Sequence, residues 1–264
     1  MLRPTHRTRE RILAMGSYGV GKSYAWLSIA KKAQETGSPA KFYCLDTDDA
    51  IQRMLDEEFT DLSNVVLYRV FDWPDYEQAL AESVHTVETR LAEQDGRMYD
   101  WVIVDLIDLA WEAVQSYFVE QVHNQGIGEY FLEVRKALKG NRLDVFDGWR
   151  DWGVINKVYT SWINQLIYKV PAHIFAATKI EPVSTKTDSS ETLNLFGQYG
   201  VKPKGQKNLG HQFHTVMLFS CLKVGDWRVT TVKERAGSVR KPFTGQSLKD
   251  FSIQYLVAKA GWEL

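Results

Sequence analysis

The residues best equipped for chemistry sit near the N-terminus, in the stretch Gly16-Ser17-Tyr18-Gly19-Val20-Gly21-Lys22-Ser23. Their spacing fits G-x-x-x-x-G-K-[ST], between an expected strand and an expected helix. Glycines let a backbone wrap a phosphate without Cβ clashes. The backbone N–H groups and the following helix N-terminus then face the anion. In such a cradle Lys22 reaches the β- and γ-phosphates, and the Ser23 hydroxyl ligates Mg²⁺. The bland alternative is a glycine-rich turn that matches by chance.

A phosphate site of this kind needs an acidic residue at the end of a buried strand. Trp101-Val102-Ile103-Val104-Asp105 supplies one, and Asp105 is the expected second metal-site residue beside Ser23. An aspartate there can also serve as a helix N-cap. Asp108, a few residues on, reads as a first-turn helix acid. Thr178-Lys179-Ile180-Glu181 imitates the [NT]-K-x-D of a guanine reader. Its Glu is too long, and no D-x-x-G follows the metal strand. ATP is the expected nucleotide, with Mg²⁺.

These residues must be held by a sheet. Short apolar runs at Arg11–Met15, Lys41–Leu45, Val65–Val70, Trp101–Val104 and Ile174–Ala177 read as strands. Lys22–Gln34, Pro74–Gln94 and Trp152–Val170 read as helices from their apolar spacing. Alternating strands and helices imply an α/β fold with a mostly parallel sheet flanked by helices. Thr215–Cys221 and Trp227–Lys233, joined at Lys223–Asp226, read as an antiparallel hairpin extending that sheet. Glu181–His211 is polar and long for a structureless loop, so it is expected to be functional or mobile. With no repeat and no linker, one domain over 1–264 is expected, with a flexible tail at 1–10.

Composition narrows the classes. The chain has 264 residues, 44% hydrophobic and 25% charged, with a net charge of −1. That excludes disorder, collagen and a coiled coil as the main architecture. Two cysteines make no disulfide framework and fit a reducing cytosol. No apolar run approaches the ~20 residues of a membrane span, and the basic start lacks a signal-like apolar core. The nine tryptophans read as packing, including Trp26, Trp101, Trp111 and Trp162. His85, His123 and His173 share no ligand spacing.

The order of motifs from Arg11 to Lys241 resembles the RecA-like core P-loop ATPases, most of all their short phage-encoded, Sak-type relatives. Phe42-Tyr43-Cys44-Leu45-Asp46-Thr47-Asp48 resembles the strand that ends I-D-x-E in that family. The resemblance puts Asp48 in the place of the water-polarising Glu, one methylene shorter, with Asp46 and Asp49 as competitors. Val102 to Leu106 resembles the family's metal strand, with Leu106 replacing the usual Ser. His173 to Thr178 resembles the strand whose polar end senses the γ-phosphate, which puts Thr178 in the sensor position. Val232-Lys233-Glu234-Arg235-Ala236-Gly237 resembles K-x-R-x-G. There the Lys and Arg reach the neighbouring subunit's ATP, so Lys233 and Arg235 are the implied trans-acting pair.

The resemblance also places a DNA-binding loop after the sensor strand. From Gln198 to Lys241 there are nine Lys or Arg against two acids, a net of +7 that leaves −8 for the rest. Lys202, Lys204 and Lys207 lie among glycines in a loop able to follow a phosphate backbone. Phe196 and Tyr199 could stack on bases. The expected activity is therefore ATP hydrolysis on single-stranded DNA, in phage recombination or replication, by a ring or filament of identical subunits in the cytoplasm. Alternatives are a ring ATPase that remodels protein or packages DNA, a small-molecule kinase, and a slow binding-only switch.

Overall fold

The computed structural model describes residues 9–94, 100–138, 150–235 and 243–251. The chain opens with β1 (Arg11–Gly16), α1 (Lys22–Glu35), β2 (Phe42–Asp46), α2 (Ile51–Glu57), β3 (Val65–Arg69), α3 (Trp73–Glu93) and β4 (Trp101–Asp105). Helices α4 (Ile107–His123), α5 (Ile127–Leu138) and α6 (Arg150–Asn164) follow, and a π turn at Gln165–Lys169 leads into β5 (His173–Thr178). Then come β6 (Ile180–Pro182), α7 (Ser190–Phe196), β7 (Val201–Pro203), α8 (Leu209–Gln212), β8 (Thr215–Lys223), β9 (Asp226–Glu234) and β10 (Gln246–Ser247).

The main sheet has the order β10-β9-β8-β1-β5-β4-β2-β3. From β3 to β8 every neighbouring pair is parallel, whereas β8–β9 and β9–β10 are antiparallel. This is the α/β arrangement expected from the sequence. Parallel neighbours need long crossovers, and the helices provide them.

Period-two alternation divides the core. Leu13, Met15, Val102, Val104 and Ile174 face α3, α4 and α6. Ile12, Ala14, Ile103, Phe175 and Met217 face α1 on the other side. Most side chains of β1, β4 and β5 are fully buried, as both-face coverage requires. Helix α3 starts at a capping box, in which Asp72 and Asp75 exchange side-chain and backbone bonds, with Pro74 in its first turn.

The segment 181–211 is not structureless. It carries β6 and β7 as an antiparallel pair, with α7 between them and α8 after them. Its polar, glycine-rich composition hid strands only three residues long, too short for any periodicity to show. The long helix expected over Trp152–Val170 starts at Arg150 and changes to the π turn after Asn164. Of the tail at 1–10, residues 1–8 lie outside the described part, and Glu10 is buried. Gly140, Asn141, Ala236, Gly237, Arg240 and Lys241 also lie outside it. No helix among the described residues is long and apolar enough to cross a membrane.

Candidate active site

The cradle leaves β1 at Gly16 and enters α1 at Lys22. Gly19 and Gly21 have φ of +66° and +88°, which only glycine adopts without strain. The turn exposes Ser17, Tyr18 and Gly19 while burying Val20. The Lys22 ammonium points back across it and donates to the carbonyls of Gly16 (3.0 Å) and Ser17 (2.7 Å). Burial lowers the Lys22 pKa, and Asp105, Asp108 and Asp48 oppose that shift. Three carboxylates thus lie within electrostatic reach of the lysine.

Asp105 ends β4 and is 2% exposed. Its carboxylate accepts from the Trp26 indole at 3.2 Å and from the Ser23 hydroxyl. Burial raises its pKa, while these two bonds and Lys22 favour the charged form. Ser23 and Asp105 are hard oxygen donors side by side, a donor pair that fits Mg²⁺ with phosphate and water completing its shell.

Of the three acids after β2, Asp46 is 1% exposed and accepts from the Ile51 N–H at 3.2 Å, at the start of α2. Burial pushes its pKa up to about 6. Asp49 is ion-paired to Arg69 at 3.1 Å. Asp48 is exposed and lines the cavity over the cradle. That cavity measures about 620 Å³. It also meets Tyr18, Lys22, Ser23, Asp105, Lys179 and Trp227.

The structure therefore gathers Gly19 to Ser23, Tyr18, Asp48 and Asp105 around one space at the carboxyl ends of the parallel strands, where open α/β sheets bind ligands. It places the other candidates elsewhere. Thr178 is fully buried, and its hydroxyl donates to the Lys204 carbonyl at 2.8 Å. Its neighbour Lys179 lines the cavity instead. Lys233 donates to the carbonyls of Gly210, His211 and Phe213, and Arg235 donates to that of His211. The register runs from Gly16 through Phe219 to Val229, so Arg235 lies about six residues, roughly 20 Å, down the strand from the cradle level.

Among the basic-loop residues, Lys202 is ion-paired to Asp188 and to Glu181, and Lys204 to Glu112 at 2.6 Å. Lys207 is exposed. Phe196 is 2% exposed and packs in the core, so it is not a stacking platform, whereas Tyr199 is half-buried.

Four residues near the site were given no part in the site from sequence. Trp26 follows Lys22 by one helical turn and so shares its face, a signal that was legible. Lys179 appeared only within Thr178–Glu181, the stretch that imitates a guanine reader. Asp108 is the first-turn acid of α4 that the sequence suggested, but its place beside Lys179 and Lys204, like that of Trp227 on Gly19, depends on partners far away in the chain.

A family model described as an AAA domain matches residues 8–241. No curated protein matches the chain.

Proposed function

The chain belongs to the AAA domain family, and from that premise we propose that it binds ATP in the Gly16–Ser23 cradle and hydrolyses it, as a homo-oligomer working on single-stranded DNA. A P-loop ATPase-type domain is what family membership gives. The RecA-like, Sak-type assignment, the oligomer, the nucleic acid and the phage recombination or replication setting are our reading.

One observation carries the hydrolase part. Lys22, Ser23, Asp105 and Asp48 come from three strand ends and converge on one cavity. In this scheme the cradle N–H groups and Lys22 bind the β- and γ-phosphates. A water oxygen attacks the γ-phosphorus, the bond to the β–γ bridging oxygen breaks, and ADP leaves. Asp48 takes the proton of that water, having an exposed carboxylate where Asp46 and Asp49 are already engaged. Ser23 and Asp105 would hold Mg²⁺, which when bound supplies positive charge to the phosphates. Trp26 fixes the Asp105 carboxylate from beneath.

The homo-oligomer rests on Arg235. It is exposed and too far along its strand to serve its own cradle, so in this reading it leaves the His211 carbonyl to meet a neighbouring subunit's γ-phosphate. The single-strand reading rests on the +7 segment and on exposed Lys207. A second reading has its own support: Lys202 and Lys204 are neutralised by carboxylates and Phe196 is buried, which favours an ATPase that remodels protein. ATPase rate with and without single-stranded DNA, measured with the oligomer mass, separates them. Stimulation in an oligomer supports the first reading. An active oligomer indifferent to DNA favours the second, and a fully active monomer contradicts the trans-acting arginine.

A further inference from the structure

We propose that Lys179 is the cation that contacts the terminal phosphate, and that buried Asp108 positions it while sharing it with Lys204. The bound nucleotide's phosphate count would then be felt by the β6–β7 pair. The proposal rests on the nucleotide reading of the same cavity and deepens it.

Lys179 follows the last residue of β5, and β5 lies beside β1, with Thr178 paired to Met15. Met15 precedes Gly16, so Lys179 emerges next to the root of the cradle. It lines the cavity with Lys22, Ser23 and Asp105. Its charge is among those that depress the Lys22 pKa, as expected for two ammonium groups facing one space. Two ammonium groups on the wall of one pocket are placed to meet a phosphate that carries more than one charge. Thr178 cannot take this part where it stands, because it is fully buried and bonded to Lys204.

Asp108 supplies the second half. It is 0% exposed, in the first turn of α4. Its Oδ1 accepts from the Lys179 backbone N–H at 3.2 Å. Its Oδ2 has no hydrogen-bond partner, and it lies 3.7 Å from Lys179 Nζ and 4.0 Å from Lys204 Nζ. A buried carboxylate oxygen is costly unless paired and hydrogen-bonded. Here it stands between two ammonium groups and is hydrogen-bonded to neither. Lys179 therefore has a partner it can leave. When it turns to a γ-phosphate oxygen, Lys204 is the cation that remains for Asp108, and Lys204 must then loosen its bond to Glu112.

The backbone carries that change onward. The Lys204 N–H donates to the Lys179 carbonyl at 2.8 Å, and the Lys204 carbonyl accepts from Thr178. Lys204 directly follows β7, whose partner is β6. A shift of the Thr178–Lys179 segment thus reaches the β6–β7 pair through these two bonds.

The test is calorimetric titration with ADP and with a non-hydrolysable ATP analogue, both with Mg²⁺, on wild type, Lys179→Gln and Lys179→Arg. Lys179→Gln should lose about 10- to 100-fold in affinity for the analogue, the weight of a charged hydrogen bond, and keep its ADP affinity within about threefold. Lys179→Arg should recover most of the loss. Equal losses for both nucleotides, or none for either, would overturn the assignment. Wild type provides an independent reading. Amide exchange over residues 179–204 should differ between the ADP and analogue complexes, and identical exchange would overturn the coupling. Should wild type bind neither nucleotide, the cavity's nucleotide reading itself fails; should it bind both while Lys179→Gln matches it, only this inference fails.

Discussion

The indole N–H of Trp227 donates to the carbonyl of Gly19 at 3.0 Å, joining residues 208 positions apart. The antiparallel hairpin that extends the sheet thereby holds the tip of the phosphate cradle. A carbonyl fixed outward leaves the neighbouring N–H groups free to turn inward, which a phosphate requires. Trp227→Phe keeps an aromatic ring and removes the N–H donor. Its nucleotide affinity should fall by about 2- to 10-fold, the weight of one neutral hydrogen bond. Titration of both proteins checks this, and unchanged affinity would make the contact incidental.

Two glycines of the cradle should respond differently to alanine. A Cβ on Gly19 would meet nothing within 4 Å, so only its φ of +66° is strained. A Cβ on Gly21 would also come within 2.1 Å of the Leu248 side chain. Gly19→Ala should cost about 1 kcal/mol of stability, and Gly21→Ala about 2–4 kcal/mol. Denaturant melts of the two variants give the order, and equal losses would contradict the packing of Leu248 on the cradle.

The strands were legible because both-face burial writes continuous apolar runs, such as Trp101 to Val104, and the cradle because only glycine and lysine at fixed spacing do its work. The β6–β7 pair was not legible, since three-residue strands leave no period to read. Lys202 and Lys204 looked like a free basic loop because their partners Asp188, Glu181 and Glu112 are brought to them by folding. Lys233 and Arg235 carry a family-like pattern, yet their side chains turn to the carbonyls around α8. Among Asp46, Asp48 and Asp49 sequence left competitors, and the structure distinguishes them by what each already binds.

That distinction predicts kinetics. Asp48→Asn should bind nucleotide as wild type does and lose about 10²–10⁴ in turnover, the usual contribution of a general base. A steady-state assay beside a binding titration checks it. Near-normal turnover in Asp48→Asn would remove Asp48 from the mechanism.

Asp46 should instead set a pH dependence of stability. Its folded pKa of about 6 lies above its ordinary 3.8, so the fold prefers the protonated acid. Its contribution is full below about pH 4 and is lost as pH rises towards 6 and beyond. Asp46→Asn keeps an acceptor for the Ile51 N–H and cannot ionise. Wild type should therefore lose about 1–3 kcal/mol relative to Asp46→Asn between pH 4 and pH 7. Parallel thermal melts with a flat difference across that range would contradict the burial argument.

The central claim is that the Gly16–Ser23 cradle binds ATP for hydrolysis, with Lys22 on the phosphates. The most direct measurement is phosphate release from Mg·ATP by wild type and by Lys22→Ala at equal concentration. Wild type should release phosphate, and Lys22→Ala should fall to background with nucleotide binding about 10- to 100-fold weaker. Wild-type turnover in Lys22→Ala, or no release by a wild type saturated with Mg·ATP, would contradict the account.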